Sequence, residues 1–290
     1  MMRSLKPLLL AWSCAFAALS IGVEGAENKM VSFDVPGAVA TRPFKISTNG
    51  VVVGLYIDAG NAVHGFRMSD GVCERIDGPG AIRTNALGIN PQGDIVGMYI
   101  TADGRGHGYL LRDGVFTTYD VPGSTVTIAA GIAPNGDIVG RYDTPDGIRH
   151  GFLLQDGVFT TIDLPDAILT EPADINPSGD IAGHYRSRDG KVHAFLLSNG
   201  VFTSIDVPGA ASTGGAPGGA NGINPQGQVA GSYGTMDGTR RGYVWTAGHF
   251  EDVMVPGAMR TGVFGINAPG WVVGSYHDMA GKEHGFLMKR

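Results

Sequence analysis

Apolar residues in this chain come in runs of four to seven, and the breaks between the runs are chemically alike. Between Thr84 and Gly123, the runs are Thr84–Ile89, Asp94–Tyr99, His107–Leu111 and Val115–Val121. The breaks are Asn90-Pro91-Gln92-Gly93, a looser polar stretch holding Asp103, Gly104 and Gly106, then Asp113-Gly114, and finally Pro122-Gly123. Proline presets the backbone at the second position of a turn, and glycine takes the left-handed conformation that ends it. Asp-Gly is the two-residue connection that a tight hairpin prefers. The pattern therefore predicts four short strands per unit, apolar on both faces, as in a sheet packed on two sides.

The unit recurs at a fixed period. Its marker isoleucine stands at Ile46, Ile89, Ile132, Ile175, Ile223 and Ile266, in steps of 43, 43, 43, 48 and 43 residues. A second marker keeps the same beat at His64, His107, His150, His193, Arg241 and His284. Four-stranded units of this length arranged about an axis are propeller blades, so the expected fold is all-β, a six-bladed β-propeller with four antiparallel strands per blade. The first strand of each unit is rich in Ala and Gly, as crowding near an axis requires. A glycine also recurs within the second strand, at Gly54, Gly97, Gly140, Gly183, Gly231 and Gly274, which points to close approach by a neighbouring backbone or ring. The last copy stops after its third strand, and Val31–Gly37 matches the missing fourth. Pairing the two segments closes the ring; an open solenoid would leave the N-terminal strand unexplained.

Residues 1–25 read as a signal peptide: Arg3 and Lys6, then an apolar run from Leu8 to Ile21, then Val23-Glu24-Gly25. Cys14 lies in that run, but the bulky Trp12 before it argues against a lipoprotein. The expectation is an extracellular or periplasmic protein whose residues 26–290 form one propeller domain of six repeats of about 43 residues, with no transmembrane segment. Removing residues 1–25 takes away Arg3, Lys6 and Glu24 and moves the net charge from −6 to −7. Without a basic cluster against that background, nucleic acid is a poor partner. Cys73 alone remains in the mature part, so the reading is of a domain held by packing, without an intramolecular disulfide.

The recurrent histidines have partners in the sequence. A two-residue turn at Asp113-Gly114 sets His107 opposite Asp120. The same register sets His64 opposite Asp77, His150 opposite Asp163 and His193 opposite Asp206, and in the closing blade His284 faces Asp34. The fifth blade loses both members at once, with Arg241 for His and Met254 for Asp, as a direct contact predicts. These are read as structural cross-strand pairs. Five equivalent pairs spread round a ring do not converge on one substrate. No catalytic residue, metal site or cofactor is assigned, since Glu171 and Asp174 are the only acids near the innermost strands and no nucleophile or phosphate-loop motif occurs.

Ile-Asn-Pro-Gln-Gly-Asp-Ile-Val-Gly at 89–97, His-Ala-Phe at 193–195 and Phe-Thr-Thr-Ile-Asp-Leu-Pro at 159–165 resemble the HAF family of bacterial extracellular repeats. The resemblance covers essentially the whole mature chain. It implies export and a repeat fold, and no activity. Most copies here read His-Gly-Phe or His-Gly-Tyr instead of His-Ala-Phe.

Candidate ligand contacts come from asymmetry. The loops between second and third strands, with Arg186 and Arg188, vary between copies on one face. The one insertion, 211–219, begins with Ala211-Ser212-Thr213 and continues Gly-rich, on the same face as Arg240 and Arg241. Ser212, Thr213, Arg186, Arg188, Arg240 and Arg241 are therefore the expected contacts for an anionic or sugar-acid ligand. The preferred reading is a monomeric secreted propeller acting as a binding or scaffold module for an unknown small molecule, glycan or protein. The alternative is an exported lyase or hydrolase acting on a carbohydrate or lactone, with Arg240 and Arg241 orienting substrate.

Overall fold

The computed structural model describes residues 11–13, 15–17, 29–213 and 220–290. It is a six-bladed β-propeller. In blade 2 the strands Ala81–Ile89, Ile95–Thr101, Gly106–Arg112 and Val115–Tyr119 pair antiparallel in that order, from the axis outward. Blade 1 runs from Ala38–Ile46 to Val72–Ile76, blade 3 from Val126–Ile132 to Val158–Ile162, and blade 4 from Ala167–Ile175 to Val201–Ile205. Blade 5 has its inner strand in two pieces, Ser212–Thr213 and Ala220–Ile223, and ends at His249–Val253. Blade 6 contributes Arg260–Ile266, Val272–His277 and Glu283–Lys289, and takes Lys29–Asp34 as its fourth strand. In that joint Gly285 pairs with Phe33 and Lys289 with Lys29, and the inner strands of blades 6 and 1 lie side by side.

Side chains alternate across each blade, so successive residues of a second strand enter opposite interfaces. Val52 belongs to the cluster between blades 6 and 1, and Val53 to the one between blades 1 and 2. Six such apolar clusters occupy the six inter-blade spaces. One large aromatic from each third strand (Phe66, Tyr109, Phe152, Phe195, Tyr243, Phe286) is essentially fully buried. Each lies over the second-strand glycine directly across from it. At Gly97 an added Cβ would sit 2.0 Å from the Asn85 carbonyl oxygen and 2.8 Å from the Tyr109 ring. The carbonyl comes from the inner strand, which bulges opposite this glycine between Ala86 and Gly88, and the ring from the third strand, where Tyr109 pairs with Gly97.

Two contacts involve residues 1–25 of the full chain. Ala11–Ser13 pairs with the outer strand of blade 1, setting Trp12 opposite Cys73, and Ala15–Ala17 pairs with Lys29–Asp34. The outer edge of a blade offers unpaired backbone groups to any extended segment that reaches it, which accounts for the pairing. Cys73 is disulfide-bonded in the full chain, with its partner outside the described residues, whereas the expected single thiol is that of the part left after removal of residues 1–25. Among the described residues no helix is long and apolar enough to cross a membrane.

Candidate functional site

The five His–Asp contacts are present and alike. Nδ1 of His64, His107, His150, His193 and His284 lies 2.9, 2.8, 2.7, 2.8 and 3.0 Å from a carboxylate oxygen of Asp77, Asp120, Asp163, Asp206 and Asp34. Each ring also packs on the tyrosine opposite it in the second strand, from Tyr56 on His64 to Tyr276 on His284, with centroids 4.9–5.2 Å apart. Such a cage holds an imidazole between the strands on either side of it, on one face of the blade. In blade 5 Arg241 lies opposite Tyr233 and takes Asp252 as its carboxylate at 3.6 Å. The cages stand apart from one another, one to a blade.

The remaining sequence-selected contacts do not gather at one place. Thr213 is buried, and its Oγ1 accepts a hydrogen bond from the Val207 amide at 2.8 Å. Thr41, Thr84, Thr127, Thr170 and Thr261 do the same for the amide six residues earlier, so Thr213 is one of six structural locks and not a ligand contact. Ser212 is half-buried beside Gly234. Arg186 is exposed, and Arg188 makes a surface pair with Asp166 at 3.0 Å. Residues 214–219 of the Gly-rich insertion lie outside the described residues. Arg240 and Arg241 are adjacent in a strand, so their side chains leave opposite faces, and they do not form one anion site. Arg240 turns toward the axis and Arg241 toward its cage.

The two ends of the axis differ. At the end bearing the Asn-Pro turns, all six marker isoleucines close round a space of only about 70 Å³. Asn176, Asn224 and Asn267 each donate Nδ2 to a carbonyl of the next blade's turn, at 3.1–3.3 Å. Their Oδ1 atoms accept amides of their own turns. Across this end runs a buried ion pair, Lys45 of blade 1 to Asp174 of blade 4, at 3.0 Å. Burial pushes the Lys45 ammonium down from its usual range, against the pull of Asp174.

The opposite mouth is polar, and its two halves carry different charge. On blades 3 and 4, Arg141 and Arg149 share Asp143 and Glu171 at 2.6–3.3 Å, an electrically balanced group. His184 lies beside Glu171 at 3.4 Å. Burial holds this imidazole below its ordinary range despite Glu171, with Arg141, Arg149 and Arg186 adding to the effect. On blades 5, 6 and 1 a cavity of about 240 Å³ is lined by Arg42, Arg240, Arg260, Gly262, Phe264, Ser275, His277 and Glu283. Arg42 clasps Glu283 through Nε and Nη2, both at 2.7 Å, and the Ser275 hydroxyl donates to the same carboxylate at 2.6 Å. Burial alone would raise the Glu283 carboxyl, but Arg42 and Ser275 prevail and hold it low. The Arg240 guanidinium is pushed down by burial, then by the charges of Arg260 and Arg42. Arg83 is lowered by burial and by Arg42.

Sequence reasoning looked for asymmetry in loops and missed it in strands. The residue after each structural threonine is Arg42, Asn85, Ile128, Glu171, Gly214 or Gly262, and the residue before each cage position is Val63, Gly106, Arg149, Val192, Arg240 or Glu283. Both positions change chemistry round the ring, while their immediate neighbours repeat. Aligning the copies and marking strand positions that repeat in place but not in chemistry would have selected the mouth.

No protein-family model and no curated protein sequence matches the chain. Solved structures do. TolB from Acinetobacter baumannii superposes with a TM-score of 0.57 at 13% identity, covering 81% of this chain and 63% of that one, so the chain spans under two thirds of its length. The β-propeller domain of the Trilobed protease from Pyrococcus furiosus, described as having an open velcro topology, gives 0.54 at 10% identity, over 98% of this chain and 92% of that one. The six-bladed fucose-recognising lectin of Aleuria aurantia gives 0.51 at 9% identity, over 84% and 89%. At these identities the likeness is one of fold, and the fold it supports is the six-bladed propeller.

Proposed function

We propose that this chain is an exported β-propeller binding module of the HAF type that seats a small ligand off-axis at its open mouth, between blades 5, 6 and 1. One observation carries the reading: the isoleucine ring leaves only about 70 Å³ at one end of the axis, while at the other a cavity of about 240 Å³ has, among the described residues, a polar lining drawn from blades 5, 6 and 1. A rigid ring presenting chemically varied strand ends round a mouth is a scaffold for recognition. The lectin neighbours, two of them complexed with fucosides, bind sugars on the same fold and favour a sugar-derived ligand here. Export rests on the N-terminal run, and intact mass of the secreted protein is the check. Loss of residues 1–25 leaves Cys73 open to alkylation after unfolding, and a retained N-terminus ends the export reading.

The convergence of Glu283, His277 and Ser275 with arginines is the feature that keeps an enzyme reading in second place, as a lyase or hydrolase of a carbohydrate or lactone. It takes second place because Glu283 is fully engaged by Arg42 and Ser275 and held ionised, leaving it no proton to give. A thermal-shift screen against sugars, sugar acids and glycans tests the site. Hits are expected to lose their shift in Arg260→Ala and keep it in Arg241→Ala. A hit that keeps its full shift in Arg260→Ala places the ligand elsewhere.

A further inference from the structure

We infer that the cavity between blades 5, 6 and 1 takes a hydroxylated monocarboxylate about the size of one sugar ring, a sugar acid. This rests on the binding reading above and narrows it to one chemistry.

Charge is the first argument. Arg42, Arg240 and Arg260 line the cavity, and Arg83 stands close enough to Arg42 to feel its charge. Among the described residues, the three arginines of the lining face one carboxylate, Glu283, whose oxygens already serve Arg42 and Ser275. The surplus stands in a protein of net charge −6, and on the other half of the mouth two arginines are matched by two carboxylates. Like charges crowded in a partly desolvated space oppose one another, and an anion bound among them removes that opposition.

Shape and lining narrow the class. Guanidinium forks match the planar pair of oxygens of a carboxylate. Glu283 on the same wall disfavours a doubly charged phosphate or sulfate ester, while the His277 ring and the Ser275 hydroxyl oxygen, which can still accept a hydrogen bond, suit the hydroxyls of a polyol. Phe264 lies over Gly262, where an added Cβ would meet its ring at 2.8 Å, and it gives the cavity an aromatic wall for the apolar face of a sugar. A space of about 240 Å³ is smaller than pockets built for drug-sized ligands, which begin at roughly 300 Å³.

The test is calorimetric titration of the full protein at low ionic strength with galacturonate, glucuronate, galactose, glucose and inorganic phosphate. A uronate is expected to bind at least about tenfold more tightly than its neutral hexose, as fits loss of a charge-assisted bidentate contact. Affinity should fall by a similar factor in Arg260→Ala and in Arg240→Ala, recover only in part in Arg260→Lys, and stay unchanged in Arg241→Ala. Arg260 is exposed, so Arg260→Ala keeps the fold, which a thermal melt confirms. A neutral hexose binding as well as its uronate, yet lost in Arg260→Ala, overturns the sugar-acid class and leaves the binding site standing. Phosphate binding more tightly than either uronate likewise overturns the class. No binding by either uronate overturns it outright, and uronate binding unaffected by the Arg260 and Arg240 variants overturns both the class and the site.

Discussion

Thr84 is completely buried, and its hydroxyl oxygen takes the amide proton of Gly78 at 2.9 Å, at the bend that carries the chain from blade 1 into blade 2. Valine has the same shape and no acceptor, so Thr84→Val strands a buried N–H. The expected cost is about 1–3 kcal/mol, with Thr84→Ser costing less, as read from chemical denaturation midpoints. Glu283 makes the corresponding case for charge. Its folded-state affinity for protons lies below the ordinary carboxyl value of 4.5, as does that of Glu171. The unfolded chain therefore takes up protons first as pH falls, so the stability these groups contribute is complete above pH 4.5 and is lost as pH drops through their folded values. Denaturation curves across the acid range should show that decline, and Glu283→Gln should make it shallower. A variant with an undiminished decline would assign the acid sensitivity to other carboxylates.

Hairpins between third and fourth strands turn on two left-handed residues, for example Asp113 at φ 51° and Gly114 at φ 76°. Four of them begin with Asp or Asn, which tolerate that conformation; the fifth begins with Ala247 at φ 47°. Ala247→Asn should relieve this strain and stabilise the protein by roughly 0.5–1 kcal/mol, seen as a rise in melting temperature. A fall would mean that the blade 5 hairpin depends on Ala247 for packing. These turns are also what makes the fold legible in the chain itself: Asp-Gly and Asn-Pro-x-Gly fix register locally, and register alone places His107 with Asp120. The bulge at Ala86–Gly88 is only half legible. The glycine opposite it announces a close approach, but only three-dimensional pairing shows that a backbone carbonyl and a ring arrive together. The ligand mouth is harder still, because Arg42, Arg260 and Glu283 lie far apart in sequence and no local rule joins them. Thr213 misleads for the opposite reason, since its place beside the insertion conceals that it repeats in every blade.

Blades 1 and 4 stand opposite one another in a ring of six, so Lys45 and Asp174 meet across the central axis. Asp174 also accepts the Ile223 amide at 3.0 Å, which ties blade 5 to the same point. Lys45→Met leaves a buried carboxylate without its counter-charge and should cost about 3–5 kcal/mol. Adding Asp174→Asn, which keeps an acceptor for Ile223, should recover most of that loss. If the double variant is as unstable as Lys45→Met alone, the penalty lies in packing and not in charge. The joint between Lys29–Asp34 and Glu283–Lys289 works at the same scale, bringing together residues such as Asp34 and His284 that are 250 positions apart. Its consequence concerns timing: the circle has no way to shut until the final strand has been synthesised and released. Until then blade 6 has an unsatisfied rim, and the polypeptide stays slack, a delay that suits any protein obliged to cross a membrane before it folds.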